Sequence, residues 1–163
     1  MTLKARDVMR SDVLTVKPET PVWELEEILL RERIHGAPVV ENGALHGIVS
    51  RSDVVRQLHL EQSRAEAESS FYLEPFDVEK RTAEDERRVS EAVATRLRDL
   101  CVRDVMIREI IIVSPDAPLE EVASKMLERR IHRVLVGEGG GFEGLISSLD
   151  LIRLFAQKRV TAT

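Results

Sequence analysis

The chain has 163 residues, of which 43% are hydrophobic and 33% are charged, and its formal net charge is −5. This length suits one compact domain or two small halves that share a core, and the acidic balance argues against general binding to nucleic acid or to an anionic membrane. Cys101 is the only cysteine, which excludes an intramolecular disulfide. With no long apolar run and no apolar leader at the N-terminus, we expect a cytoplasmic protein without a membrane span.

The chain contains one segment twice, with the second copy 97 residues after the first and no gap between the aligned positions. Residues 6–9 (RDVM) reappear as residues 103–106, and Ile34-His35 reappears as Ile131-His132. The run GIVSRSD at residues 47–53 reappears as GLISSLD at residues 144–150. Two related copies predict a pseudo-symmetric pair of units.

Both copies predict the same elements in chain order. Each copy gives an opening turn, a β-rich stretch, a helix after a Pro-x-x-Pro motif, two strands joined by a turn, and a final helix. In the first copy these elements fall at residues 7–9, 13–16, 21–33, 37–40 and 45–49, with the last helix starting near Ser50; in the second copy they start 97 residues later. Pro21 and Pro118 suit the first position of a helix.

The fold class follows from these elements. Each copy is a β-α-β-β-α unit of about fifty residues, which is too small to bury a comfortable core alone. We therefore predict an α/β (α+β) fold in which two such units pack through their sheets. Asn42-Gly43 predicts a tight hairpin turn between the two strands of the first copy, and the Gly-rich run at residues 137–141 takes the same place in the second copy.

A long connection joins the copies at residues 61–100. Its first half is rich in Glu and Ala and predicts a continuation of the preceding helix, which Pro75 ends. A second helix is expected over residues 83–100, and an aromatic group at residues 71–76 predicts local or dimer packing. The predicted organisation is a first unit at residues 1–60, a helical insertion at 61–100 and a second unit at 101–160.

The motif Gly-apolar-apolar-Ser-x-x-Asp at the strand-to-helix junction has two interpretations. As a nucleotide site, Gly allows close approach of a ligand, the N–H groups of the helix start attract an anion, and Asp accepts hydrogen bonds from ribose hydroxyls. As a purely structural feature, Ser50-x-x-Asp53 and Ser147-x-x-Asp150 fit a capping box. Both interpretations remain open from the sequence.

A second candidate site lies between the first helix and the following strand. Arg133 can form a bidentate contact with phosphate, and His132 can add a hydrogen-bond donor. The alternative is an exposed Arg and a packed His. The four His residues lack metal-ligand spacing, and the Ser, His and Asp residues are better explained by the motifs above than by a catalytic triad. We therefore expect no metal and no catalytic residues.

The series of motifs resembles a cystathionine-β-synthase (CBS) domain: Asp-Val-Met, a Val-rich strand, Pro-x-x-Pro, Ile-His-x-x-Pro-Val-Val and Gly-Ile-Val-Ser-x-x-Asp. Two in tandem resemble a CBS pair, or Bateman module, and the resemblance covers about two-thirds of the chain. It implies a regulatory module that needs no cofactor and has two clefts for AMP, ADP or ATP, with S-adenosylmethionine or NAD as alternative ligands. It also implies a homodimer that signals to an unidentified protein in trans.

The resemblance assigns roles to matching positions. It implies that Asp53 and Asp150 hold ribose hydroxyls. The remaining implied ligand-binding residues line the base, ribose or phosphate and are Thr15, Val16, His35, Ser50, Arg51, Ser52, Ile112, Val113, His132, Arg133, Ser147 and Ser148.

The two copies differ at several of these positions. Gly36 stands where the second copy has Arg133, Leu149 stands where the first copy has Ser52, and Ser148 stands where it has Arg51. We therefore expect unequal clefts. The alternative function is a ligand-independent dimerisation or scaffold module that acts through the helical insertion.

Overall fold

The computed structural model describes residues 3–71 and 83–157. Within these ranges helices and short strands alternate, which confirms the predicted mixed α/β class. The helices are α1 (Val22–Arg31), α2 (Arg51–Phe71), α3 (Ala83–Asp99), α4 (Val102–Val105), α5 (Leu119–Arg129) and α6 (Ser148–Ala156), and the strands are β1 (Gly36–Glu41), β2 (Ala44–Ser50), β3 (Ile112–Val113), β4 (Arg133–Val136) and β5 (Gly144–Ser147). Tyr72, Pro75, Phe76 and the side chain of Phe71 lie outside the described part, and so do the predictions made for them.

The chain divides into two compact units. We call Val16–Val39 with Ile48–Ile107 the first-copy unit, and Met1–Thr15 with Val40–Gly47 and Arg108–Thr163 the second-copy unit. The unit boundaries do not follow the boundaries of the sequence repeats. The opening segment of each repeat belongs to the unit built from the other repeat.

In the second-copy unit, the opening segment of the first repeat forms backbone hydrogen bonds with the second repeat. The N–H of Ala5 donates to the carbonyl of Ala117 over 2.9 Å, and Arg10 and Leu145 exchange two bonds of 2.9 and 3.0 Å. Lys4 and Arg6 both form ion pairs with Asp116. A short 3-10 turn covers Ala5–Asp7, two residues earlier than the opening turn predicted at residues 7–9.

The first-copy unit contains the reciprocal arrangement. The N–H of Val102 donates to the carbonyl of Thr20 over 2.8 Å, and Ile48 and Ile107 exchange bonds of 2.8 and 3.0 Å. Arg103 forms an ion pair with Glu19. Ile107 is thus the counterpart of Arg10, 97 residues later in the chain.

Helices α1 and α5 form where the apolar periodicity predicts them, and they bury the predicted stripes. Val22, Leu25 and Leu29 are buried on α1, while Leu119, Val122 and Met126 are buried on α5. Pro21 and Pro118 were predicted at the first helical position, and this is wrong by one residue. Both have ψ near 145°, so they occupy the N-cap and the helix begins at the next residue.

The strands form two small sheets. In the second-copy unit β3 pairs parallel with β4, and β4 pairs antiparallel with β5, with Arg133 opposite Ser147. Strands β1 and β2 pair through the predicted turn, in which Asn42 has φ 52° and Gly43 has φ 79°. These left-handed values are those of a type I′ hairpin turn, so the Asn-Gly prediction is confirmed.

The described part of the connection between the repeats, residues 61–71 and 83–100, is largely helical, as predicted. Helix α2 runs on through the predicted continuation to Phe71, and α3 covers Ala83–Asp99. In the first-copy unit α2 packs against α3, with Ala65 and Val93 buried. Glu61 is also buried on α2 and accepts hydrogen bonds from Gln57, Arg64 and Arg96.

Gly144 has a structural role that its sequence motif did not indicate. A Cβ atom there would lie 2.7 Å from the carbonyl oxygen of Arg10 and 3.0 Å from Sδ of Met9. The open side of this glycine therefore faces the protein's own opening segment, and the interpretation of Gly144 as a place for ligand approach is wrong.

We expect Gly144→Ala to lower the stability of the chain by about 1–3 kcal/mol, because the new methyl group overpacks this contact. Thermal unfolding followed by circular dichroism measures the change, which corresponds to a Tm lower by about 5 °C. Gly141→Ala is the matched control, because its Cβ would come no nearer than 3.4 Å to another atom. Equal Tm values for the two variants would contradict the close packing.

Candidate functional site

The first-copy unit places a buried carboxylate where strand β2 meets helix α2. Asp53 is 3% exposed. Its Oδ2 accepts hydrogen bonds from the backbone N–H and hydroxyl of Ser50, over 2.8 and 2.6 Å. Its Oδ1 accepts one hydrogen bond, from Nη2 of Arg56 over 2.8 Å. The carboxylate is therefore fixed through one oxygen, while the other meets a single guanidinium.

The second-copy unit repeats this junction between β5 and α6. Asp150 is 6% exposed, and its Oδ2 accepts hydrogen bonds from the N–H and hydroxyl of Ser147 over 2.9 and 2.6 Å. The Ser147 oxygen in turn accepts from the N–H of Asp150, which completes a capping box. The capping interpretation is thus confirmed here, and it uses only one of the two carboxylate oxygens.

The other oxygen of Asp150 meets two arginines. Oδ1 accepts from Nε and Nη2 of Arg10 over 3.0 and 2.6 Å, and from Nη1 of Arg153 over 3.3 Å. Arg153 is the counterpart of Arg56, so that part of the arrangement repeats. Arg10 has no such counterpart, because the equivalent residue of the first-copy unit is Ile107.

The pKa of Asp150 reflects these contacts. Burial by itself would raise it, but the hydrogen bonds from Ser147 and the hydrogen bond and charge of Arg10 together hold the pKa below its ordinary value of 3.8. Because the folded-state pKa is the lower one, the carboxylate stabilises the fold above about pH 4, and this stabilisation is lost as the pH falls through the folded pKa.

We expect Arg10→Ile to move the acid-unfolding midpoint of the chain to higher pH. The substitution removes a hydrogen-bond donor and a positive charge, so the folded pKa of Asp150 rises and less of its stabilisation remains. Circular dichroism between pH 6 and pH 2 measures the midpoint. Arg31→Ile is the control, because among the described residues Arg31 forms its ion pair with the exposed Glu32, in the other unit. A midpoint that is the same in both variants would contradict the assigned role of Arg10.

The predicted His residues bond through their backbone carbonyls to the first residue of the helix that carries the Asp. The backbone carbonyl of His35 accepts a hydrogen bond from the N–H of Arg51, the first residue of α2, over 3.0 Å. His132 does the same for Ser148 over 2.9 Å. Both His side chains are exposed. The structure therefore brings each His to the strand–helix junction of its own unit.

Position 36 and its counterpart 133 differ for a structural reason. Arg133 is exposed and stands opposite Ser147 in the sheet. A Cβ at Gly36 would lie 2.7 Å from the carbonyl oxygen of Val49 and 3.1 Å from Cβ of Ser50. The first-copy unit has no room for the arginine that the second-copy unit carries.

The remaining predicted residues have varied environments. Val16 is buried, and its N–H donates a hydrogen bond to the carbonyl of Pro38 in β1. Ile112 and Val113 form β3. Ser52 is exposed on α2. Thr15 is an exposed residue at the end of the segment that belongs to the second-copy unit.

Sequence reasoning missed three arginines of the site. Arg56 and Arg153 occur three residues after the Asp in both copies, and that repetition was a usable signal. Arg10 gave a weaker one, the Arg-to-Ile difference between positions 10 and 107. Its partner Asp150 is 140 residues away, so only the fold reveals the contact.

The family model for the CBS domain matches the chain twice, at residues 5–60 and 102–157. The chain belongs to the CBS domain family. The two matches make it a CBS pair, and they cover both Ser-x-x-Asp junctions. An uncharacterized protein of Methanocaldococcus jannaschii, MJ1426, is 27% identical over 149 residues, with 90% of this chain and 88% of that protein aligned. Other relatives are longer, and the chain spans only 32% of the zinc metalloprotease MJ0392 of the same organism.

Solved structures of CBS pairs have the same fold. CBSX2 of Arabidopsis thaliana, determined in complex with AMP, superposes with a TM-score of 0.69 at 21% identity, covering 96% of this chain and 98% of that one. The CBS pair of protein MJ0100, determined with 5-methylthioadenosine and S-adenosyl-L-methionine, has a TM-score of 0.63 at 21% identity, covering 97% and 99%. At these identities the likeness establishes the fold.

No helix in residues 3–71 and 83–157 is long and apolar enough to cross a membrane. The same residues contain no group of three or more His, Cys, Asp or Glu side chains placed to hold a metal ion.

Proposed function

We propose that the chain is a non-enzymatic sensor module that binds AMP, ADP or ATP and transmits the binding event to a partner protein in trans. The observation that carries the proposal is the buried carboxylate at each strand–helix junction, Asp53 in one unit and Asp150 in the other. Each carboxylate is held by a serine through Oδ2, which directs its second oxygen away from the cap.

The chemistry of the junction suits a ribonucleotide. A carboxylate accepts hydrogen bonds and donates none, so it complements the paired hydroxyls of ribose. The exposed His35 and His132 supply hydrogen-bond donors for phosphate, and Arg133 supplies positive charge. All three lie near the start of a helix, where the dipole also favours an anion. Val16, Ile112 and Val113 supply apolar contact for a base.

The comparisons support the class of ligand. The bound molecules of CBSX2 and MJ0100 all contain adenosine or a derivative of it. We therefore assign adenine nucleotides to this chain, with S-adenosylmethionine and NAD as alternatives. The proposed site residues are those predicted from the sequence, together with Arg56 and Arg153.

A thermal-shift panel of AMP, ADP, ATP, S-adenosylmethionine and NAD tests the proposal. A ligand at one hundred times its dissociation constant stabilises the folded state by about 2.7 kcal/mol, which raises Tm by roughly 5–10 °C for a chain of this size. The matched control is 2′,3′-dideoxyadenosine monophosphate, which lacks the hydroxyls that the carboxylates bind. If no adenine compound raises Tm, or if the dideoxy compound acts as well as AMP, the proposal fails.

We also propose that the module is a homodimer. Helix α6 exposes Leu149, Ile152 and Phe155 at three-residue spacing, and α2 exposes Val55 and Leu58, the counterparts of the last two. A repeated apolar stripe of this kind favours contact with a second copy. Light scattering after size exclusion tests it, with Ile152→Glu expected to yield the monomer mass.

The second candidate function is a ligand-independent scaffold that acts through the helical insertion. It is favoured by a groove along α2 and α3 that is lined by Gln62, Val89, Ser90, Val93, Ala94 and Leu97. A scaffold keeps its assembly when the nucleotide site is removed. Asp53→Asn combined with Asp150→Asn separates the two functions, because it abolishes ligand binding and leaves the surface of the insertion intact.

A further inference from the structure

We infer that Arg10 blocks ribose binding at Asp150, so that adenine ligands bind preferentially in the first-copy unit, at Asp53. The inference deepens the proposed function and rests on it. The two carboxylates already accept different numbers of hydrogen bonds.

A carboxylate offers about four acceptor positions on its two oxygens. Within the described residues, Asp150 accepts from five donor groups: two on Ser147, two on Arg10 and one on Arg153. Asp53 accepts from three: two on Ser50 and one on Arg56. Asp53 keeps room for a ribose hydroxyl, whereas Asp150 has none until a donor leaves.

Arg10 is the donor that distinguishes the two units. Arg56 and Arg153 occupy equivalent positions on the following helix and contact Asp53 and Asp150 alike. Arg10 reaches Asp150 with two nitrogens, the nearer over 2.6 Å. The Asp150 side chain is 7% exposed and the Asp53 side chain is 3% exposed, so both carboxylates are buried and the additional guanidinium is what distinguishes them. A ribose must therefore displace a charge-assisted pair at a poorly hydrated carboxylate.

The backbone holds Arg10 in place. Arg10 and Leu145 exchange two backbone hydrogen bonds beside β5, just before the Ser147 cap. Ile107 and Ile48 exchange the same pair of bonds in the first-copy unit. The backbone arrangement is thus equivalent in both units, and the blocking guanidinium depends on a single side chain.

This equivalence allows a reciprocal exchange of the two side chains. Arg10→Ile removes the block from Asp150, and Ile107→Arg introduces a block at Asp53. Isothermal titration with adenosine measures the effect on ribose binding without a phosphate, and AMP in parallel measures it with one. Arg6→Ile is the matched control, because it removes one positive charge from the same segment without contacting Asp150.

We expect wild type to bind one adenosine tightly, and Asp53→Asn to abolish that site. In the Asp53→Asn background, Arg10→Ile should strengthen adenosine binding by about tenfold or more, since a hydrogen bond to a charged group no longer has to be displaced. Ile107→Arg should weaken binding at Asp53 by a similar factor. Circular dichroism confirms that each variant is folded. If Ile107→Arg unfolds, the measurement on Arg10→Ile still decides the test.

Two outcomes overturn the inference alone. If wild type binds adenosine through Asp150 as tightly as through Asp53, the block does not exist. If Arg10→Ile lowers the affinity for AMP and leaves the affinity for adenosine unchanged, Arg10 binds phosphate and does not block ribose binding at Asp150. If neither ligand binds wild type or any variant, the proposed function fails and the inference fails with it.

Discussion

Gly36→Arg is expected to lower the stability of the chain by about 2–3 kcal/mol, equivalent to a Tm lower by about 5–10 °C, and to leave its affinity for AMP no higher than before. The substitution copies Arg133 into the first-copy unit and is the obvious way to equalise the two sites from sequence. The Cβ that it adds would lie 2.7 Å from the backbone oxygen of Val49, which belongs to β2 and cannot move independently of the sheet.

Matched variants separate the clash from the charge. Gly36→Ala adds only the Cβ and is expected to produce most of the destabilisation. Arg133→Ala removes an exposed side chain, and its Tm should stay within the range of ordinary surface substitutions, about 0.5 kcal/mol. Differential scanning calorimetry with and without AMP measures both quantities. A Gly36→Arg variant that melts like wild type and binds AMP more tightly would show that only the missing guanidinium distinguishes the first-copy unit.

Glu61→Lys is expected to separate α3 from α2 and to destabilise the first-copy unit by about 3–5 kcal/mol. Glu61 is 4% exposed, and its carboxylate lies 3.0 Å from Arg64 and 3.4 Å from Arg96 of α3. A lysine there places a third positive charge next to two guanidinium groups and removes the acceptor that they share. Thermal unfolding followed at 222 nm measures the loss.

The control for this variant is Ser63→Lys, which adds the same side chain at an exposed position of α2 and should change Tm little. The Glu61→Lys variant also distinguishes the two candidate functions. A nucleotide sensor keeps its AMP affinity below the melting temperature, because Asp53 lies about two turns away on the same helix and Ser50 lies before that helix, at the end of β2. A scaffold loses its assembly with the helical pair. If Glu61→Lys melts like Ser63→Lys, the buried carboxylate does not hold the two helices together.

The elements whose cause is local were predictable from the sequence. Asn42-Gly43 determines its own turn, because both residues tolerate the left-handed backbone that a two-residue hairpin needs. The stripe of Val22, Leu25 and Leu29 buries one face of α1 through helical periodicity alone. The Ser-x-x-Asp cap closes over three residues, so its hydrogen bonds follow from spacing.

Other features required contacts between residues far apart in the chain. The opening segment of each repeat forms its backbone hydrogen bonds with the other repeat. No local sequence pattern predicts which strand such a short segment will contact. Gly144 looked like an opening for a ligand and instead accommodates the backbone of Arg10. Gly36 looked like a missing phosphate contact and instead avoids the backbone of Val49.

By itself the sequence determined the repeat, helices α1 and α5, the Asn42-Gly43 turn and the paired Ser-x-x-Asp junctions, and the pattern behind each of these elements spans only a few neighbouring positions. The strand predicted at residues 13–16 does not form, because within the described residues only Val16 of this stretch makes a bridge, to Val39.

The sequence also predicted unequal clefts, from Gly36 against Arg133 and Ser52 against Leu149. Only the tertiary structure revealed that the two carboxylates themselves differ in their partners. Arg10 and Asp150 are 140 residues apart, and backbone pairing at Leu145 brings them together. A charge pair across that separation exists only once the chain has folded, and it is this pair that makes the two carboxylates unequal.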